Sequence, residues 1–76
     1  MVEIGDRICA ISPWPGQGYA VLRYLGRGEA MVIESQSKVF ARLDAVWHLP
    51  MDAIGPATGD IATGAHCKWE FHDSGF

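Results

Sequence analysis

Apolar and polar residues alternate most cleanly near the carboxyl end, where Ala65-His66-Cys67-Lys68-Trp69-Glu70-Phe71-His72 switches at every step. On an extended backbone Cys67, Trp69 and Phe71 share one face, and His66, Lys68, Glu70 and His72 share the other. A period of two predicts a closing strand over 65–72, buried on one side and wet on the other. Near the start, Gly5-Asp6 signals a turn and Arg7 to Ser12 reads as a short strand. Its Ile8, Cys9, Ala10 and Ile11 do not alternate, which predicts cover on both faces. Pro13-Trp14-Pro15-Gly16-Gln17-Gly18 is irregular by chemistry, since proline denies ladder donors and glycine permits left-handed turns.

Tyr19 to Leu25 and Ala30 to Glu34 read as a hairpin with Arg27-Gly28 at its tip. Setting Leu25 opposite Ala30 puts Ala20, Leu22, Tyr24, Met31 and Ile33 on one face. Val21, Arg23, Val32 and Glu34 then lie on the other, so the charges segregate. Val39 to Arg42 extends the meander as a fourth strand. Asp44 then suits a helix N-cap, Ala45 to His48 one helical turn, and Pro50 its stop. Residues 51–64, rich in Gly, Ala, Thr and Pro, read as a long loop.

This order predicts an all-β fold: a small five-stranded barrel with one short helical turn after the fourth strand and a C-terminal strand. The whole chain, 1–76, forms one domain, with 2–50 as barrel core. Val2-Glu3-Ile4-Gly5-Asp6-Arg7-Ile8 resembles the opening of SH3-like barrel domains, where a Gly-Asp pair precedes the first strand. Within that group the chain is similar to the plasmid-borne type II dihydrofolate reductases in Gly5-Asp6-Arg7, in Gly16-Gln17-Gly18 and in the strand after the third turn. The resemblance implies a homo-oligomer around a shared pore that binds NADPH and dihydrofolate. Val39, Phe40 and Arg42 would then line the pore or an interface. The family's pore strand reads Val-Gln-Ile-Tyr, and only Val39 of Val39-Phe40-Ala41-Arg42 matches it. The groups that meet the substrates are missing, so no reductase activity is expected.

At 76 residues a chain buries only about 60% of its unfolded surface. The 49% apolar content is generous for that size, which points towards self-association. A net charge of −3, with Arg7, Arg23, Arg27, Lys38, Arg42 and Lys68 scattered, supplies no basic field. Nucleic acid, which would have to use Arg7, Arg23 and the aromatics, is therefore an unfavoured partner. No apolar run approaches a membrane span, and no leader is evident at Met1, so a cytoplasmic protein without membrane contact is expected. In that compartment Cys9 and Cys67 are expected as two reduced core thiols.

No metal is expected: His66 and His72 would lie ~20 Å apart along a strand, and Glu70 with His72 gives only two ligands. No nucleophile–base set, phosphate loop or dinucleotide fingerprint is present, so neither catalysis nor a cofactor is expected. Binding chemistry concentrates at the first long loop. There Trp14, stiffened between prolines, with Pro15, Gln17, Tyr19 and an exposed strand edge, offers a surface to a protein partner or a second copy; the alternative for Trp14 is that it folds back to cap the small core. Trp47 and Trp69 are expected in the core.

Overall fold

A computed structural model describes residues 1–11, 19–35, 42–58 and 67–72. The strands are β1 (Arg7–Ile11), β2 (Tyr19–Gly26), β3 (Glu29–Ser35), β4 (Val46–His48), β5 (Ile54–Pro56) and β6 (Trp69–His72). One 3-10 turn, Met51–Ala53, precedes β5. All six strands join one sheet in the order β4-β3-β2-β1-β6-β5. Every pairing is antiparallel except that of β1 with β6, which is parallel. The fold is all-β, as the alternation predicts. The described strands make an open mixed sheet of six, where a five-stranded barrel was expected.

β1 is central, and both of its faces are covered. Ile8 and Ala10 enter a main core with Ala20, Leu22, Tyr24, Ala30, Val32, Leu49 and Phe71, rimmed by Val2, Ala45, Trp47, Ile54 and Trp69. Cys9 points the other way into a second cluster with Val21 and Cys67, against which Tyr19 and Ile33 pack. The uninterrupted apolar run of β1 thus serves two cores, one on each side of the sheet.

The β2–β3 hairpin turns at Arg27-Gly28, as its sequence predicts. Both residues have positive φ, 57° and 78°, the geometry whose twist matches the flanking strands. The register departs from the expected one between the hairpin's two ends. Gly26 faces Glu29, Val21 faces Glu34 and Ala20 faces Ser35, as expected; in between, Tyr24 faces Ala30, Arg23 faces Met31 and Leu22 faces Val32. Irregularities at Leu25 and Ile33 open and close this one-residue slip. Ala30 and Val32 consequently face the main core, where Met31 and Ile33 were expected. Leu25, skipped by the pairing, is left 41% exposed.

Two further expectations are corrected. Val46 to His48 form strand β4 on β3, where a helical turn was expected. Asp44 takes φ 66° in a turn, and its amide donates to the Val32 carbonyl at 2.9 Å. A short polar residue suits a left-handed turn as well as a helix cap, and pairing with β3 decides between them. Part of the expected 51–64 loop is ordered as the 3-10 turn and β5, which pairs with β6 from Ile54–Phe71 to Pro56–Trp69. Residues 59–64 of that segment lie outside the described residues, as do Ala65 and His66 of the expected closing strand.

The tail forms the expected strand at Trp69–His72, and Phe71 is buried in the main core. Its polar face is not uniformly wet, because Glu70 is 7% exposed. Cys67 and Cys9 are joined as a disulfide across 58 positions, their Cα atoms 5.7 Å apart. This corrects the expectation of two reduced thiols. The parallel β1–β6 pairing, which carries Lys68 N–H to the Arg7 carbonyl at 3.2 Å, brings the sulfurs together.

Candidate functional site

An open sheet leaves two edges, and they are not alike. β5 ends in Pro56, which has no amide to donate, and Ala57 turns its own amide inward to Lys68 at 3.0 Å. A proline at an edge is a common guard against unwanted strand pairing. β4 has no such guard: Val46, Trp47 and His48 include no proline, lysine or bulge.

The ladder determines which backbone groups of β4 point outward. Leu49 donates to Gly28 at 2.7 Å and Val32 donates to Ala45 at 2.8 Å. Bonds in an antiparallel ladder recur at every second residue, so Trp47 turns its backbone towards Ala30. Val46 and His48 turn theirs away from β3, and no described strand pairs with β4 on that side. Beside this edge Leu43 is 60% exposed and Val46 50% exposed. On the same face as Val46, His48 Nε2 lies 3.3 Å from Glu29 Oε2, a solvated pair that adds little energy.

A second polar constellation surrounds the tail. Glu70 Oε2 accepts the Thr58 amide at 3.2 Å and the Thr58 hydroxyl at 3.3 Å. Its Oε1 lies 3.0 Å from His72 Nε2. An ionised carboxylate can only accept, so that ring nitrogen carries the proton. The His72 bond foremost, then the Thr58 amide, hold the Glu70 carboxyl below its usual range despite burial, which pushes the other way. At the start of β1, Asp6 Oδ2 accepts the Glu3 amide at 2.9 Å and the Trp69 indole N–H at 3.0 Å, with Lys68 Nζ at 3.9 Å. The Glu3 amide and then the Trp69 indole lower the Asp6 pKa. Both carboxylates act as fasteners of the tail. Among the described residues no group of three or more His, Cys, Asp or Glu side chains is placed to hold a metal ion.

Of the binding and interface residues singled out from sequence, Tyr19 and Arg42 lie among those described. Trp14, Pro15 and Gln17 lie outside the described residues, as do Val39 and Phe40. Tyr19 faces Ile11 across the β1–β2 ladder and packs half-buried on the second cluster, away from the β4 edge. Arg42 is exposed and belongs to no described strand; its carbonyl accepts the Ala45 amide at 3.1 Å as the chain turns into β4. Trp47 and Trp69, expected in the core, sit at its rim. The β4 edge itself was missed, because Val46 to His48 carry no period of their own. Three residues before a proline are too few to separate a strand from a helical turn.

Among the described residues no helix is long and apolar enough to cross a membrane. Comparison of the chain with protein-family models, with curated proteins and with solved structures finds no match.

Proposed function

We propose that this chain is a small non-enzymatic interaction module that binds a protein partner by strand addition at β4, the first occupant being a second copy of itself. The observation that carries the reading is the unguarded edge, with the backbone groups of Val46 and His48 turned outward. The edge is self-complementary. Two copies related by a two-fold axis at Trp47 set Val46 of one against His48 of the other, twice, giving four backbone hydrogen bonds. At a net ~0.5–1.5 kcal/mol each, offset by the cost of association, these bonds support a weak dimer. A three-residue edge buries less than the roughly 1,200 Å² of a standard stable interface, which points the same way.

The first long loop, with Trp14, Pro15 and Gln17, is the second element of this reading. The Gly5-Asp6 opening resembles that of SH3-like barrels, whose first long loop borders the ligand groove.

Proline at position 46 is the informative variant. It removes an outward amide and costs no bond to β3, so the fold should stand. Sedimentation of the 8.3 kDa chain should give a mass that rises with concentration, while Val46→Pro stays monomeric with an unchanged melting temperature. A monomer at every concentration up to about 1 mM, beyond which pairing would be weaker than ~4 kcal/mol, would refute the reading. So would a Val46→Pro variant that associates as the natural chain does.

A further inference from the structure

We infer that the Cys9–Cys67 disulfide is a redox modification site that latches the β5–β6 pair to the sheet, and that a dithiol reductant releases the pair locally, leaving β1 to β4 folded. The inference rests on topology and is independent of the β4 edge. Among the described strands β5 pairs only with β6, and β6 reaches the rest of the sheet only through its four-residue pairing with β1. The disulfide joins β1 to the residue two positions before β6, so it ties that seam covalently. The other fasteners there are non-covalent: the Asp6 bond to the Trp69 indole, the Lys68 amide on Arg7, and the packing of Trp69, Phe71 and Ile54 on the main core.

Reduction proceeds by two exchanges. Cys67 retains 7% exposure and Cys9 none, so a reductant thiolate attacks the Cys67 sulfur. The sulfur–sulfur bond breaks, and Cys9 leaves as a thiolate that takes up a proton. The second thiolate of the reductant then attacks its own mixed-disulfide sulfur and expels Cys67, which is protonated in turn. Two electrons pass to the protein, and the dithiol departs as a disulfide. The freed pair uncovers the edge of β1 at Ile8 to Ile11, which β6 had occupied.

Loop closure separates a local latch from a global staple. If β1 to β4 stay folded, the segment set free runs from the end of β4 to Cys67. Closing roughly 15–20 residues is worth about a hundredfold in the opening equilibrium. For opening of the whole chain the loop is the full 58-position span, and closure is worth about a thousandfold with or without a local opening; a global staple has that single opening, and a latch has the local one as well.

Amide exchange of the full chain, measured before and after equilibration with dithiothreitol, distinguishes the two. The Lys68 amide, bonded to Arg7, reports the seam; the Tyr24 amide, bonded to Asp6, and the Val32 amide, bonded to Ala45, report the remainder. The latch predicts that Lys68 exchanges about a hundredfold faster after reduction, and that in the reduced chain it still exchanges at least about tenfold ahead of Tyr24 and Val32, which open only with the whole sheet. The double variant Cys9→Ser/Cys67→Ser should match this pattern without reductant. One common opening free energy for all three amides of the reduced chain, including complete unfolding of the reduced chain or the double variant, would overturn the inference. So would no acceleration at any of them.

Discussion

The register slip inside the hairpin makes a prediction that the unbroken pairing reverses. With bulges at Leu25 and Ile33, Val32 lies fully buried opposite Leu22 while Met31 lies half-buried opposite Arg23. Val32→Ala removes two methyl groups from a packed site, about 1.6 kcal/mol of transfer free energy. The residual cavity adds roughly 1 kcal/mol, for a total of about 2–3 kcal/mol. Met31→Ala, on the half-exposed face, should cost about 0.5–1 kcal/mol. A 76-residue domain holds on the order of 4–11 kcal/mol in total, so the Val32 variant stays folded and measurable. Its melting temperature should fall by roughly 10–20 °C. Urea unfolding followed by tryptophan fluorescence gives both free energies, with equal slopes indicating an unchanged unfolded state. Without the bulges the ranking inverts: Met31→Ala becomes the core truncation at about 2–5 kcal/mol and Val32→Ala the mild one. A Met31 loss equal to or larger than the Val32 loss would refute the slip.

Other consequences follow from the turns and the fastened carboxylates. Arg27 holds φ 57° as a non-glycine residue, so Arg27→Gly should be neutral or stabilising by up to about 1 kcal/mol, whereas Arg27→Val should be destabilising by more than that; thermal melts of the two variants check the sign. Asp6 and Glu70 both have folded pKa values below their ordinary ones, so their stabilisation is fully present above the usual carboxylate range and is lost as pH falls through the lowered values. Unfolding free energy should therefore rise with pH across about 3–5. Glu70→Gln should flatten that rise and cost about 1–2 kcal/mol at neutral pH. An acid limb of unchanged slope in the variant would contradict the role given to Glu70.

What the sequence reveals here is local order. The Gly5-Asp6 turn, the Arg27-Gly28 tip and the 69–72 strand were legible because each is specified by neighbours in the chain. The two-sided cover of β1 was legible because its four consecutive apolar residues offer no polar side chain to turn towards water. What stayed hidden depends on partners distant in sequence. A bulge at Leu25 leaves no mark on composition; it is favoured because it places Ala30 and Val32, instead of Met31 and Ile33, against Leu22 and Ile8. β5 lies in a Gly- and Pro-rich stretch with no period and exists because β6 offers it a ladder. The burial of Glu70 follows from Thr58 and His72 meeting it, and the Cys9–Cys67 bond from a parallel pairing that nothing near either cysteine announces. The candidate edge belongs to the same class: Val46 to His48 became a strand because β3 lay beside them.

The claim on which the functional account turns is that β4 ends the sheet with the backbone of Val46 and His48 free to receive another strand. Amide exchange at Val46, Trp47 and His48, measured in dilute and in concentrated solution, tests it most directly. The account predicts a protected Trp47 at both concentrations, with Val46 and His48 unprotected when dilute and protected when concentrated. Protection of all three in dilute solution, or none at Val46 and His48 even when concentrated, would contradict it.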